Sequence, residues 1–349
     1  MADVTIEDLV AFQADQCAAA GSPLYERILR GVLADVRSDG GIVREVVAGH
    51  EQDQFGSALV LRMLGAVHRI VLDGRAPELA ASYPSVGGDA AAGDPAATFL
   101  TTLRQHKDEV ARRLDDGLQT NEVGRASVLV AGFATVADRT GLPLRILEMG
   151  ASAGLNLRWD AYAYEHPGGV AGDPDSPLRF ADVWESAAPP LPERFDVAER
   201  RGCDPAPIDP ATEEGRQRLR SFVWPDQLER SRRLEAALAV AARVPAVVER
   251  ADGPDWVAER VAEAPAGVAT VVVHSIVLQY LPRERRGAFR DAMAAAGRRA
   301  SEAAPLAWLR FEPGGDVAEL RLALWPEGRD ELLATSGFHG APARWLARG

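Results

Sequence analysis

The segment LRILEMGASAGLNLRWD, residues 144–160, decides how the rest of the chain is read. A short apolar run closes on an acid, Glu148, and Gly150, Ser152 and Gly154 then fall at alternate positions ahead of a helix-like segment. Two chemistries use such a turn. GASAG fits G-x-S-x-G, the elbow that lifts a nucleophilic serine above a sheet. It equally fits a glycine-rich turn on which a nucleotide-like cofactor lies, where small residues let the ligand touch backbone N–H groups without meeting a Cβ.

The flanks weigh on that choice. Residues 1 to about 142 carry helical patterns. Thr5 to Ala20 places Ile6, Leu9, Val10, Phe12 and Gln13 on successive turns, and Ser22-Pro23 supplies an N-cap and a first-turn proline. Phe55 to Leu72, the stretch opened by Asp94-Pro95, and a capped helix from about Asn121, stopped by Gly141 and Pro143, continue the series. No strand pattern precedes residue 144. After it, LRILEM, RFDVAERRGCD, PAVVERADG, VATVVVHS and LAWLRFEP read as strands. Helices separate them over 211–242, through Trp256 and Val261, and from about Arg283 to Ala300. DAYAYEHPGG and SPLRFADVW read as two short strands of an inserted hairpin near 160–185, and ELRLALWPEGRDELLATS as an antiparallel hairpin. The expected fold class is α/β: a Rossmann-like doubly wound sheet with an antiparallel C-terminal hairpin, preceded by an all-helical N-terminal region. The expected domains are 1–118 and 119–349.

A nucleophile elbow follows several strands and needs an upstream oxyanion loop. Here 144–149 is the first strand and no HGGG-like loop precedes it, although His339 in SGFHG keeps an α/β hydrolase with Ser152 as nucleophile open. NAD-type loops put their third glycine three residues after the second, and position 155 is leucine, so that fingerprint fails.

Composition narrows the rest. The 349 residues carry a formal net charge of −12, which argues against a nucleic-acid partner. MADVTIEDLV lacks the basic and apolar regions of a secretory signal, and no apolar stretch approaches the roughly 20 residues of a membrane span. Two distant cysteines, Cys17 and Cys203, fit a reduced cytoplasm. The six histidines show no metal-ligand spacing.

E-x-G-x-S-x-G on a first strand resembles the cofactor motif of class I S-adenosylmethionine-dependent methyltransferases, with serine in place of the middle glycine. The wider pattern (QTNEVGR, LEMGASAGLNL, GDPDSP, VWPDQ, HSIVLQYLP, LAWLRFEP) resembles an uncharacterised bacterial domain-of-unknown-function family over most of the chain. The methyltransferase resemblance implies S-adenosylmethionine as cofactor, held by Glu148, Gly150, Ala151, Ser152, Gly154 and Asn156. It implies an acid after the second strand for the ribose (Asp204, with Asp209 in reserve) and one after the third near adenine (Asp252, with Trp256 beside the ring). His274 and Ser275, ending the fourth strand, would face the methyl group. His274, Tyr280 and Glu312 are then the catalytic candidates, His274 as a base. Structural alternatives stand beside each: a turn start for Asp204, core for Trp256, scaffold for His274. Asn121, Glu122 and Arg125 either cap their helix or line the substrate side, as Trp159 and Asp160 would more weakly. The implied function is methyl transfer to a small molecule, with the helical region forming part of the acceptor pocket. The alternatives are the hydrolase and a non-catalytic S-adenosylmethionine-binding module.

Overall fold

The N-terminal helices pack because their apolar positions recur every three or four residues, giving each a face to bury. A computed structural model describes residues 5–38, 40–50, 58–117, 120–185 and 187–347. The chain divides into two compact units, Met1–Thr120 with Thr212–Arg232, and Asn121–Ala211 with Arg233–Gly349.

In chain order the first unit holds α1 (Ile6–Ala19), α2 (Pro23–Arg37), α3 (Ile42–Val46), α4 (Leu59–Leu72), α5 (Pro77–Ala80), α6 (Pro95–Gln105) and α7 (Lys107–Leu114). After α8 (Ala126–Thr140) of the second unit, α9 (Glu213–Ser221) returns to the first. Residues 55–57, expected to open α4, lie outside the described residues. The buried stripe of α1 runs through Val10, Ala14 and Cys17 and leaves Phe12 outside, 48% exposed, against the expected pattern. The stretch expected as one helix from Asp94 breaks at His106, between α6 and α7. Tyr25 of α2 is fully buried and meets the rings of Tyr83 and Trp224 at 6.4 and 6.0 Å.

The start of α2 departs from expectation in an instructive way. Ser22 makes no side-chain cap to its own helix. Its hydroxyl instead donates to Asp226 Oδ1 (2.7 Å), and the Leu24 amide donates to Asp226 Oδ2 (3.0 Å). The cap therefore comes from a carboxylate about two hundred residues away, a longer-range and charge-assisted version of the same satisfaction of an orphan donor.

The second unit is built on a mostly parallel sheet. Its strands are β1 (Leu144–Met149), β5 (Val197–Asp204), β6 (Val247–Arg250), β7 (Ala269–Ser275), β8 (Leu306–Pro313), β9 (Ala318–Trp325), β10 (Arg329–Ser336) and β11 (Ala343–Trp345), in the order β11-β10-β9-β8-β7-β1-β5-β6. β1 pairs in parallel with β5 on one side and β7 on the other, and β8 to β11 finish antiparallel. Every residue of β1 and β7 is buried, as sheets covered on both faces require. The inserted segment is a separate small sheet in the order β3-β2-β4: β2 (Ala163–His166), β3 (Gly169–Gly172) and β4 (Arg179–Phe180). The hairpin partner of β2 is thus Gly169–Gly172, across the His166-Pro-Gly turn, and the later segment adds in parallel.

α10 (Leu228–Ala241), α11 (Gly253–Ala262) and α12 (Arg283–Gly297) lie between successive strands from β5 to β8. Leu147, Met149, Cys203 and Val272 pack with Trp256, Val257, Phe289 and Met293 of α11 and α12. By alternation, Glu148, Gly202, Asp204, Val273 and Ser275 point to the opposite face. No helix follows β1. The expected helix is a six-residue 3-10 segment, Asn156–Ala161, kinked at Arg158 (φ −102°, ψ 17°).

Because Asp226 satisfies two donors at the start of α2, Asp226→Ala is expected to lower unfolding stability by about 1–3 kcal/mol. Ser22→Ala, which leaves the Leu24 amide paired, should cost less. Urea denaturation of the three proteins checks the order.

Candidate functional site

The order of the parallel strands reverses beside β1: β5 and β6 build outward on one side, β7 and β8 on the other. In open α/β sheets the crevice at the C-terminal ends of the strands at such a switch point is where ligands bind. The glycine turn stands there, with Gly150 at φ +74°, Ser152 at φ +51° and Gly154 at φ +67°. Gly150 and Gly154 also have no room for a side chain, since an added Cβ would lie 2.6 Å from Val277 and 2.8 Å from Val248.

The turn's own amides are largely spent within the protein. Gly150 N and Ala151 N donate to Cys203 O at 2.9 and 3.0 Å, and Gly154 N donates to Ala151 O at 2.7 Å. Ser152 N donates to Asp204 Oδ2 at 2.9 Å, while Asp204 Oδ1 accepts from Ala206 N at 2.8 Å. Asp204 is therefore a clamp between the end of β5 and the glycine turn, each carboxylate oxygen accepting one amide. Asp209 lies exposed on the loop beyond, its Oδ1 accepting from Ala211 N.

Glu148 is the side chain left wanting. It is 3% exposed, and its Oε2 is fully buried with no hydrogen-bond partner among the described residues. Burial, reinforced by the nearby Asp204 charge and only partly offset by Arg125 and Arg158, pushes its carboxyl up to about 8. Asn156 Oδ1 is a second buried acceptor without a partner, while Asn156 Nδ2 donates to Glu122 O at 3.2 Å. Two orphan acceptors at one turn call for a ligand or water that brings donors.

The residues of TNEVGR are joined to this turn. Asn121 Oδ1 accepts from Leu155 N (3.0 Å), Glu122 Oε1 accepts from Gly124 N (2.9 Å), and Arg125 Nη1 donates to Ser275 O (2.9 Å). Asn121, Glu122 and Arg125 thus tie the turn to the ends of α8 and β7, and Glu122 alone of the three makes a cap. Ser275 is 7% exposed on the same face of the sheet as Glu148.

His274 faces away from them. It is 0% exposed, among Phe289 and Trp308 on the α12 side. Trp308 Nε1, which can only donate, lies 3.0 Å from His274 Nε2, so Nε2 accepts and Nδ1 carries the proton to Glu312 Oε1 at 2.6 Å. Both ring nitrogens are committed within the protein, as the scaffold alternative for His274 expects. Glu312 Oε1 also accepts from Val277 N (2.9 Å) and Leu278 N (3.4 Å). Burial raises the Glu312 carboxyl, but the His274 hydrogen bond and these amides outweigh it and hold it below its ordinary value. Glu312 is thereby scaffold for the segment after β7, not a catalytic acid. That segment begins at Ile276 with φ +54°, a conformation costly for a β-branched residue. Tyr280, 50% exposed, is the one catalytic candidate at the surface.

The remaining candidates are structural. Asp252 caps α11 through Asp255 N and pairs with Arg285, leaving the adenine role without support from its contacts. Trp256 is 4% exposed and donates to Glu249 Oε1. Trp159 is fully buried, stacked on Phe133 at 4.2 Å, and Asp160 Oδ2 accepts from Arg200 at 2.6 Å, so neither lines a crevice. Sequence reasoning missed Arg158 and Trp308. An arginine inside GLNLRWD and a tryptophan facing His274 across paired strands were the available signals. Among the described residues no cluster of three His, Cys, Asp or Glu side chains could hold a metal, and no helix is long and apolar enough to cross a membrane.

An α/β protein with a Rossmann-like sheet and a buried acid at the end of its first strand is thus the class that the geometry defines. The chain belongs to the bacterial family described as "Uncharacterized protein conserved in bacteria (DUF2332)", which matches residues 7–345. No curated protein and no solved structure matches it.

Glu148 binds its proton more tightly folded than unfolded, so its contribution to stability is complete below 4.5 and is lost as pH rises to about 8. Glu148→Gln is therefore expected to flatten the fall in unfolding free energy over that window, a fall on the order of a few kcal/mol. Denaturant titrations at a series of pH values would show it, and parallel curves for the two proteins would refute the buried protonated acid.

Proposed function

We propose that the crevice over Glu148 binds S-adenosylmethionine and that the protein is a methyltransferase acting on a small-molecule acceptor. The single observation that carries this is the buried Oε2 of Glu148, an acceptor with no partner at the switch point of the sheet. Asn156 Oδ1 beside the same turn asks for a donor too. A ligand bearing an ammonium supplies donors to both and, once Glu148 gives up its proton, a counter-charge, whereas an anion would leave Asn156 Oδ1 unmet and oppose that ionisation. The positive-φ turn and the parallel strand order around β1 fit the same fold-level analogy, which by itself names no reaction.

The fit is through side-chain acceptors. The amides of Gly150, Ala151, Ser152 and Gly154 are satisfied internally, so the turn shapes the crevice more than it binds a carboxylate. With Asp204 committed to Ser152 and Ala206, the ribose role passes to Asp209. When bound, the cofactor supplies an activated sulfonium methyl. This chain's part is to hold the reacting groups in line and exclude water, with Ser275 and Arg125 at the β7 end and Tyr280 at the exposed rim. Among the described candidates none is a buried base poised for proton removal, which suits acceptors that are nucleophilic without one.

The experiment is isothermal titration of the full chain with S-adenosylmethionine. Binding should release up to one proton as Glu148 ionises, seen as a heat that differs between buffers of different ionisation enthalpy. Glu148→Gln should abolish that difference and weaken binding roughly tenfold or more. No binding by the wild type refutes the proposal. Binding without turnover across a panel of acceptors reduces it to the cofactor-binding module, and labelling of Ser152 by a fluorophosphonate would favour the hydrolase.

A further inference from the structure

A recess lies beside the glycine turn, next to Ala153. It has a volume of about 470 Å³ and is bounded by Ala153, Arg158, the loop Pro207–Ala211, Ala241 and Ala242 at the end of α10, and Pro245, Ala246 and Val248 at the start of β6. Glu148 is not among its walls. The volume falls in the range of small-molecule sites, and the walls combine aliphatic side chains with an equal share of polar surface and no aromatic side chain. Three of the lining residues are prolines, which fix the backbone and favour a recess that is formed before a ligand arrives.

One cation stands in this lining, and it is unusually placed. Arg158 is 4% exposed. Its Nε donates to Val244 O (2.7 Å), and its Nη1 to Gly154 O (2.7 Å) and Ala153 O (3.4 Å). Among the described residues, no carboxylate pairs with it and its Nη2 has no hydrogen-bond partner. Burial holds the guanidinium below its ordinary range, with Arg200 adding repulsion and Tyr162 and Glu148 opposing it. A buried guanidinium satisfied only by neutral carbonyls gains much from an anion, because a charge-assisted bond replaces solvation that burial has removed. The acid among the lining residues, Asp209, is exposed and turned to the Ala211 amide through Oδ1.

We propose that this recess is a binding site for a small aliphatic carboxylate, its head group on Arg158 and its chain along Ile208, Val248 and the alanines. The site stands whether or not the Glu148 crevice takes a nucleoside, since Asp209, the lining residue also given the ribose role, is not needed to hold the carboxylate on Arg158. Occupancy draws on the guanidinium that also holds the carbonyls of Ala153 and Gly154, so it should stiffen the turn as well.

Calorimetric titration of the full chain with octanoate, octanol and octylamine tests it. Octanoate should bind roughly tenfold or more tightly than octanol, with octylamine weaker still. Arg158→Gln should erase the preference for octanoate. Ala246→Trp fills the recess without touching Arg158, and should abolish binding while its unfolding midpoint and circular dichroism show an intact fold. Equal affinity for octanoate and octanol, undiminished binding to a folded Ala246→Trp, or no octanoate binding by the wild type would each overturn the proposal.

Discussion

Parallel pairing of β1 on both sides is the constraint from which the second unit follows. A strand with neighbours at both edges and cover on both faces has no solvent to give its side chains, so anything polar on it must be satisfied by the protein or left in deficit. Arg145 is satisfied, through Glu199 and the Arg260 carbonyl. Glu148, three residues on, keeps one oxygen without a partner. The difference lies in position. Arg145 enters the strand near the end away from the crevice, where charged side chains from β5 and the α11 end converge. Glu148 sits at the C-terminal end of the strand, beside the switch point of the sheet. A buried, unmet carboxyl at a sheet's switch point is costly to a fold, and that cost is what makes it a functional candidate rather than a packing residue.

The β7 end shows the reverse arrangement, in which every polar group is met. Trp308 fixes the tautomer of His274, His274 orients Glu312, and Glu312 gathers the amides of Val277 and Leu278. Between them Ile276 is held at positive φ. A β-branched residue stays in such a conformation only where surrounding bonds over-determine it. The network on the α12 face therefore sets the path of the chain as it crosses the crevice rim on the other face, with Val277 lying close against Gly150. His274 acts on the crevice through backbone geometry, from a side of the sheet that no ligand over Glu148 would share.

How much of this was legible follows from the range of each interaction. β1, β7 and β8 are short and largely apolar, and the helices before residue 144 announce themselves by period and by caps such as Asp94 and Gly141, because those signals are local. Gly150, Ser152 and Gly154 were legible as a turn for the same reason. The role of Asp204 was not. Whether an acid at a strand end meets a ribose or an amide depends on where the chain returns fifty residues away. The face that His274 takes is hidden in the same way, since alternation sets it only once Val272 and Phe289 are known to share a core. Asp226 at the start of α2 and the 3-10 segment in place of a helix after β1 are likewise tertiary outcomes. Arg158 ends that segment's regularity by turning in to hold the carbonyls of Ala153 and Gly154, a use of arginine that spacing does not encode.

The spent amides of the turn bear on what kind of recognition is left. A loop that presents a run of N–H groups beside a helix N-terminus attracts phosphate or carboxylate. Here Cys203 O, Asp204 and Ala151 O take those amides, and the helix is missing. What is left without a partner at the turn is acceptor in character: the buried Glu148 Oε2 and Asn156 Oδ1. On the recess side the balance is opposite, with Arg158 the donor and carbonyls around it. One backbone turn thus separates a region short of donors from a region short of an anion. Glu148 and Arg158 are close enough to feel each other's charge, yet they form no ion pair. Had they paired, both deficits would have closed and the turn would be inert scaffold. Arg158 instead spends its donors on the carbonyls of Val244, Ala153 and Gly154, and both deficits stay open.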